Sequence, residues 1–273
     1  MIQLVCNARQ TLKRFTDENL AQASFCFTYL LKNKEIKING KKTGEDVVLE
    51  MGDVVSYYLT EKQEKHVGFS ILYEDDNVLI VDKESGVNSE AVYAELVRRY
   101  GERCTFIHRL DRNTMGLLAF AKNEKAGEIL LSAFQKRTVE KVYLALCFGA
   151  FPKREDTLIA YLKKDEQHAH VRVYSANVPG SERIVTEYKV LETRDDGTNL
   201  VRITLHTGKT HQIRAHTAFI GCPVVGDMKY GDVPKNKSRN CTRQQLIAKT
   251  LAFTLDGALA YLNDKLFQSQ HVL

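Results

Sequence analysis

Apolar residues recur at helical spacing early in the chain and at strand spacing soon after it, which outlines a first module. Between Thr11 and Leu31, the residues Leu12, Phe15, Leu20, Phe27, Leu30 and Leu31 can share one buried face, so this stretch is predicted to be rich in helix. Ile36-Lys37-Ile38 then alternates like a strand and runs into Asn39-Gly40, a tight-turn pair. Val47-Val48-Leu49, a Gly52-Asp53 turn and the run from Val54 to Tyr58 complete a small α+β module. Glu61 to His66 is polar throughout and reads as a linker, giving predicted domains at residues 1–65 and 66–273.

Past the linker, Ile71-Leu72-Tyr73, the acidic turn Glu74 to Asn77 and Val78 to Val81 predict a hairpin or two linked strands. Ser89 to Tyr100 is predicted helical, stopped by Gly101. Glu124 to Phe134 places Ala126, Ile129, Leu130, Ala133 and Phe134 on one helical face. Val142 to Phe148 reads as a buried strand. Val201, Ile203 and Leu205 alternate with Arg202, Thr204 and His206 as a half-buried one. A helix is expected from His211 to Phe219, and a polar, basic loop from about residue 233 to 244. Short strands with inserted helices, and no regular βαβ rhythm, predict an α+β catalytic domain on a mixed, mostly antiparallel sheet.

Length allows one large domain, or a small one followed by a medium one. No apolar run approaches bilayer length and the N-terminus lacks a secretory core, so the expectation is a cytoplasmic protein with no membrane partner. The six cysteines are scattered without a C-x-x-C pair, which favours reduced thiols over disulfides or zinc. A net charge of +5 is compatible with a polyanionic partner. Lys32, Lys34, Lys37, Lys41 and Lys42 crowd the first module's hairpin, either as a solvated face or as a surface that follows phosphates.

The candidate chemistry centres on the segment from Ile107 to Ala121. Asp111 lies between Arg109 and Arg112, on a short loop flanked by Thr105-Phe106-Ile107 and by Leu117 to Ala121. Two adjacent cations would keep this carboxylate ionised, as a nucleophile or electrostatic stabiliser requires. The same residues also fit a structural ion pair closing a turn. In Thr207-Gly208-Lys209-Thr210 a strand delivers the chain to a helix start, where backbone amides and Lys209 would favour an anion. A P-loop is excluded, because its first glycine would fall on Ile203. His206, His211 and His216 are spaced by five, off a common helical face, which argues against a metal site. Arg214, one turn after His211, either meets Asp111 through a bidentate fork or lies on the surface. Tyr143 shares a strand face with Lys141, and it either stacks on a base or fills the core.

Together these residues resemble the RluA-type pseudouridine synthases. His108-Arg109-Leu110-Asp111-Arg112, with Thr114 and Gly116-Leu117-Leu118, resembles the family's HRLDxxTSGLL box. Lys141-x-Tyr143, with Gly149 after it, resembles the K-x-Y motif. Thr207 to Arg214 with His216, followed by Gly221-x-Pro223-Val224-x-Gly226-Asp227 and Tyr230-Gly231, resembles the third box. Leu72 to Asp75 and Val81-Asp82-Lys83-x-x-Gly86 resemble the first. Ile38 to Lys41 and Gly52-Asp53 resemble an S4 RNA-binding domain.

The resemblance implies the pseudouridine synthase fold behind a small S4-like domain, and an isomerase that needs neither cofactor nor metal. It implies Asp111 as the catalytic aspartate, Tyr143 as the aromatic on the target base with a possible part in proton abstraction, and Arg214 as the partner of Asp111. Arg109 would enter the RNA where a uridine has been flipped out. His108, Arg112, Lys141, Lys209, His211, Lys37 and Lys41 are the other expected RNA contacts. The expected substrate is structured RNA, ribosomal first and transfer RNA second, bound by a monomer. A non-catalytic RNA-binding or assembly protein keeping the fold is the alternative. A nucleoside hydrolase would call for a second catalytic carboxylate beside Asp111, which these boxes do not offer. Met115, Asn113, Glu84 and Ile247 depart from the family pattern, and none of these departures removes the aspartate, tyrosine or arginine.

Overall fold

Turn chemistry builds most of this molecule from antiparallel neighbours. Phe69–Glu74 and Val78–Lys83 form the expected hairpin, its turn tied by the Asp75 carboxylate accepting the amides of Asn77 and Val78. The computed structural model describes residues 1–165 and 170–273. Across one eleven-stranded sheet the order runs His170–Tyr174, Glu155–Asp165, Glu182–Thr193, Thr198–Leu205, Val139–Phe148, Leu246–Phe253, Met115–Ala121, Val78–Lys83, Phe69–Glu74. Leu266–Gln268 pairs with Leu246–Phe253, and Thr105–Phe106 with Met115–Ala121. Every pairing recorded in this sheet is antiparallel except one: Met115 and Gly116 run parallel to Ile247 and Ala248. The mixed, mostly antiparallel α+β reading is therefore the observed architecture.

The parallel contact explains a glycine of the Asp111 box. Gly116 has φ +109°, and a β-carbon there would stand 2.3 Å from the Ala248 carbonyl oxygen. Only glycine allows both that backbone angle and that approach. The strand that follows is buried on both faces. Leu118 and Phe120 pack with Val92 and Leu96 of the Ser89–Tyr100 helix. Leu117, Ala119 and Ala121 pack with Ala126, Leu130 and Ala133 of the Glu124–Lys136 helix. Its unbroken apolar run reflects two cores, not the one-sided burial that alternation would signal.

Residues 2–57 form their own layer around Leu12, Phe15, Leu30, Ile36, Val55 and Tyr57. Three helices, Leu12–Asn19, Ala21–Phe25 and Phe27–Lys32, cover a four-stranded sheet ordered Ile2–Val5, Val54–Tyr57, Ile36–Ile38, Lys41–Thr43. Asn39 and Gly40 both take positive φ, as a two-residue hairpin turn requires.

Two expectations are corrected. The stretch expected as a linker contains a helix, Glu61–Lys65, started by a capping box between Thr60 and Gln63. The stretch expected as a loop contains a helix, Val233–Ser238, capped by Asp232 and opened by Pro234. In both, caps rather than apolar periodicity nucleate the turn, so a search for a buried face passes over them. All six cysteines are unpaired, and Cys6, Cys104, Cys147 and Cys222 are buried.

Candidate active site

The loop from Leu110 to Thr114 leaves the short Thr105–Phe106 strand and turns into Met115–Ala121, and several of its backbone groups are anchored. The Ser89 hydroxyl both donates to the Leu110 carbonyl and accepts the Leu110 amide, at 3.0 and 2.9 Å. The Thr114 amide closes the turn on the Asp111 carbonyl at 3.0 Å, while Gln244 Nε2 donates to Thr114 Oγ1 at 2.9 Å. Lys83 lies wholly buried behind the loop, its Nζ donating to the carbonyls of Glu84, Val87 and Arg112. Burial pulls its ammonium down to about 7, against the opposing pull of Asp111's charge.

This scaffold presents Asp111 to a cleft of about 630 Å³, a size that suits a nucleotide. On the cleft floor, Arg214 Nη1 donates to Asp111 Oδ2 at 2.9 Å. Arg214 sits on the Gln212–Phe219 helix, whose first turn follows His211 in a left-handed backbone at φ +54°. Its other nitrogens make a fork onto Asp227: Nε to Oδ2 at 2.7 Å and Nη2 to Oδ1 at 3.0 Å. Burial opposes the guanidinium's charge, but Asp227 and then Asp111 outweigh it and raise its pKa. Burial likewise pushes the Asp227 carboxyl up, and the Arg214 bonds more than reverse this, leaving it below the usual carboxylate range.

Tyr143 and Lys141 both line this cleft, as strand alternation predicts. Tyr143 is buried, and burial, followed by the negative charge of Asp111, pushes its phenol pKa up. Tyr143 thus brings a ring face and a protonated hydroxyl to the cleft. Lys141 Nζ lies 5.3 Å from the centre of the Phe134 ring on the same wall. His211 Nδ1 is 2.8 Å from the Tyr230 hydroxyl, and its Nε2 is 3.9 Å from Asp111 Oδ1. Burial is the main cause that lowers the His211 pKa.

The basis expected for Asp111's charge is not the one observed. Neither chain neighbour pairs with it. Arg109 turns to Glu90 at 3.0 Å, and Arg112 turns away to Asp17 and Ser24 of the N-terminal layer. The counter-ion is Arg214, 103 residues on. The contact roles expected of other residues also divide. Arg109, with its side chain 69% exposed, stands at the cleft rim, where a residue entering RNA would need to be. Arg112 is not among the cleft-lining residues, and Lys37 and Lys41 sit on the hairpin of the N-terminal layer. His108 lines the cleft and also braces it: its Nε2 accepts the Ala119 amide at 3.1 Å, its ring stacks on Phe134, and burial lowers its pKa to about 3. Lys209 lies at the cleft, but its ammonium is paired with Glu182. The expected amide-lined anion site is altered too, since the Lys209 amide is taken by Gln212 Oε1. Of the three histidines, His206 Nε2 meets Glu187 and His216 Nδ1 meets Thr186 Oγ1, each at 2.9 Å.

Asp227 is the functional residue that sequence reasoning left without a role. Its signal was its place in Gly226-Asp227-x-x-Tyr230-Gly231: a β-carbon on Gly226 would stand 2.0 Å from the Arg243 carbonyl oxygen, and one on Gly231 would stand 2.2 Å from that of Asp227. The departures from the family pattern are absorbed locally. Met115 is buried with Sδ accepting from Arg243, Glu84 pairs with His66, and Ile247 is core.

Comparison with known proteins agrees with this geometry. Residues 76–219 match the family model for RNA pseudouridylate synthase. A ribosomal large subunit pseudouridine synthase C of Vibrio parahaemolyticus is 32% identical over 252 residues, covering 82% of this chain and 78% of that one. An uncharacterized RNA pseudouridine synthase of Bacillus subtilis, YhcT, is 31% identical over 228 residues, covering 77% and 74%. The solved structure of human RNA pseudouridylate synthase domain containing 1 superposes with a TM-score of 0.62 at 29% identity, over 70% of this chain and 80% of that one. The match in sequence and fold, joined to an aspartate held by an arginine on the floor of a nucleotide-sized cleft, places this chain in the RluA-type RNA pseudouridine synthase family, isomerases that act on RNA.

Proposed function

We propose that this chain isomerises uridines of ribosomal RNA, with Asp111 as the catalytic residue, Tyr143 as the ring packed on the target base and Arg214 as the group that orients Asp111. The observation that carries this reading is the 2.9 Å bond from Arg214 to Asp111 Oδ2 at a cleft that Tyr143 also lines. Arg214 occupies Oδ2 and leaves Oδ1 toward the sugar of a flipped-out uridine. In the reaction the N1–C1′ bond breaks, the uracil turns, and a C5–C1′ bond forms. The C5 proton leaves to solvent, and N1 ends protonated. The free base must be kept in place and dry meanwhile, which a walled cleft with one aromatic face does.

The choice of ribosomal RNA rests on the relatives named for the large ribosomal subunit. Residues 1–65 act as an S4-like RNA-binding module, with Lys37 and Lys41 along its phosphate path, and residues 66–273 as the catalytic unit. Arg109 enters the RNA at the flipped position. A single chain supplies Asp111, Tyr143 and Arg214, so a monomer in the cytoplasm suffices.

The test is tritium release from RNA labelled at uridine C5, using ribosomal and transfer RNA transcripts in parallel. Wild type releases tritium from the ribosomal RNA, and Asp111→Asn loses about 10³-fold or more of the rate while still binding RNA. Release only from transfer RNA would overturn the substrate. Undiminished release by Asp111→Asn would overturn the catalytic assignment.

A further inference from the structure

The residue that follows the catalytic aspartate is gripped from two sides. On one side the Arg112 carbonyl accepts the Gly86 amide at 2.9 Å and Lys83 Nζ at 3.1 Å. On the other, its guanidinium leaves the catalytic unit and enters the N-terminal layer. There Nη1 pairs with Asp17, and Nη2 lies 3.4 Å from Ser24 Oγ. Asp17 is buried, at 8% exposure, and it also accepts from Ser24 Oγ at 2.6 Å and from Lys13.

The N-terminal layer also reaches the first side of the grip. The Phe25 ring lies over the glycines that flank Lys83: a β-carbon on Gly68 would stand 2.5 Å from it, and one on Gly86 3.5 Å. Arg98 Nη1 donates to the Asn19 carbonyl beside these contacts, at 3.2 Å. The layer therefore touches both supports of residue 112.

We propose that Arg112 is a positioning residue, through which the N-terminal layer aims the Asp111 carboxylate. The inference rests on the reading of Asp111 as catalytic. Adjacent Cα atoms are only about 3.8 Å apart, so a tilt of residue 112 is passed directly to residue 111. A displacement of about 1 Å in a reacting group costs on the order of 10²-fold in rate. A layer that only held RNA would need no partly buried ion pair reaching into this loop. The full chain thus uses its RNA-binding layer as part of the catalytic loop's scaffold, and chemistry at residue 111 depends on a carboxylate 94 positions earlier in the chain.

The experiment separates binding from chemistry in the intact chain. RNA affinity is measured by filter binding, and the chemical step by single-turnover tritium release at saturating enzyme. Asp17→Asn and Arg112→Gln slow the chemical step by about 10- to 10²-fold, with Kd changed less than about twofold. Arg112→Lys, which keeps the charge and the reach to Asp17, restores most of the rate, and the double variant is no slower than the slower single one. Should Asp17→Asn and Arg112→Gln fail to fold, Ser24→Ala decides in their place. It removes one hydrogen bond of the junction and slows the same step by a few-fold.

Weakened RNA binding with an unchanged chemical step would overturn the proposal and make Arg112 an RNA contact. Folded variants unchanged in both measurements would reduce the junction to ordinary packing. A wild-type chain that forms no pseudouridine in any RNA would instead sink the reading of Asp111 itself.

Discussion

Asp111 and Asp17 are each bound by an arginine, and Arg112, the residue beside Asp111, is the arginine that binds Asp17. Their remaining bonds differ. Asp17 has protein donors on both oxygens, Lys13 and Ser24 on Oδ1 and Arg112 on Oδ2, and it is buried. Asp111 gives Oδ2 to Arg214, while Oδ1 has His211 at 3.9 Å and the cleft beyond. The contrast teaches that an ion pair alone does not mark a reactive carboxylate. What sets Asp111 apart is an oxygen free of close donors beside a cavity, where a substrate could reach it.

The sharpest way to break this contrast is at Arg214. Lysine keeps the charge but cannot bridge Asp111 and Asp227 with a planar fork. Arg214→Lys is expected to lower kcat/KM by about 10²- to 10³-fold in the tritium assay, a loss on the scale of one preorganised donor. A loss below tenfold would show that the second carboxylate is irrelevant to aiming Asp111.

Next in size is an effect on stability. Asp17→Ala leaves Lys13 and Arg112 facing each other without their carboxylate, which is expected to cost about 2 kcal/mol in urea unfolding, because both cations are partly open to solvent. Asp111→Ala is expected to change stability by less than about 1 kcal/mol, since Arg214 keeps its fork on Asp227. Equal losses would erase the distinction drawn here.

Acid sharpens the comparison at a smaller scale. His216 is buried against Thr186, and burial holds its pKa at about 4, below the 6.5 of an exposed imidazole. Between those values the unfolded chain carries a proton that the folded chain refuses, so stability falls as pH drops through this window. By pH 5 the loss from this one group is about 2 kcal/mol. Among the described residues no histidine bonds Asp17 or Arg112. Hydrogen exchange at pH 5 should therefore expose amides around Thr186 and His216 before those of the Leu12–Asn19 helix, and a reversed order would count against this account.

The smallest expected effect concerns the hairpin lysines. Replacing Lys37 and Lys41 with alanine should reduce the salt dependence of RNA affinity by a slope of about 2, one for each lost phosphate contact. An unchanged slope would remove that hairpin from the RNA path.

The local pattern carried much of this molecule. The hairpin at Asn39-Gly40, the helix from Ser89 to Tyr100 and the shared face of Lys141 and Tyr143 were all visible in short windows, because turn chemistry and side-chain period act over a few residues. Asp111, Tyr143 and Arg214 were found through the order of the motif boxes. Windows failed where the partner is remote. Arg109 and Arg112 look like the counter-ions of Asp111 along the chain, yet on a tight loop neighbouring side chains diverge, and they went to Glu90 and Asp17 instead. Asp227 could not be given a role before Arg214 was placed beside it.

The chain by itself thus determined its hairpins, its helical faces and its glycine-dependent turns, since each depends on side-chain type and short-range geometry, while the cleft residues were named by the resemblance of their motif boxes. Which charges meet was left to the tertiary structure. Coulomb attraction and hydrogen bonding act over a few ångströms of space, and only the sheet, with Gly116 passing against Ala248 and the Gln212–Phe219 helix packed beside the Asp111 loop, converts a separation of 103 residues into 2.9 Å.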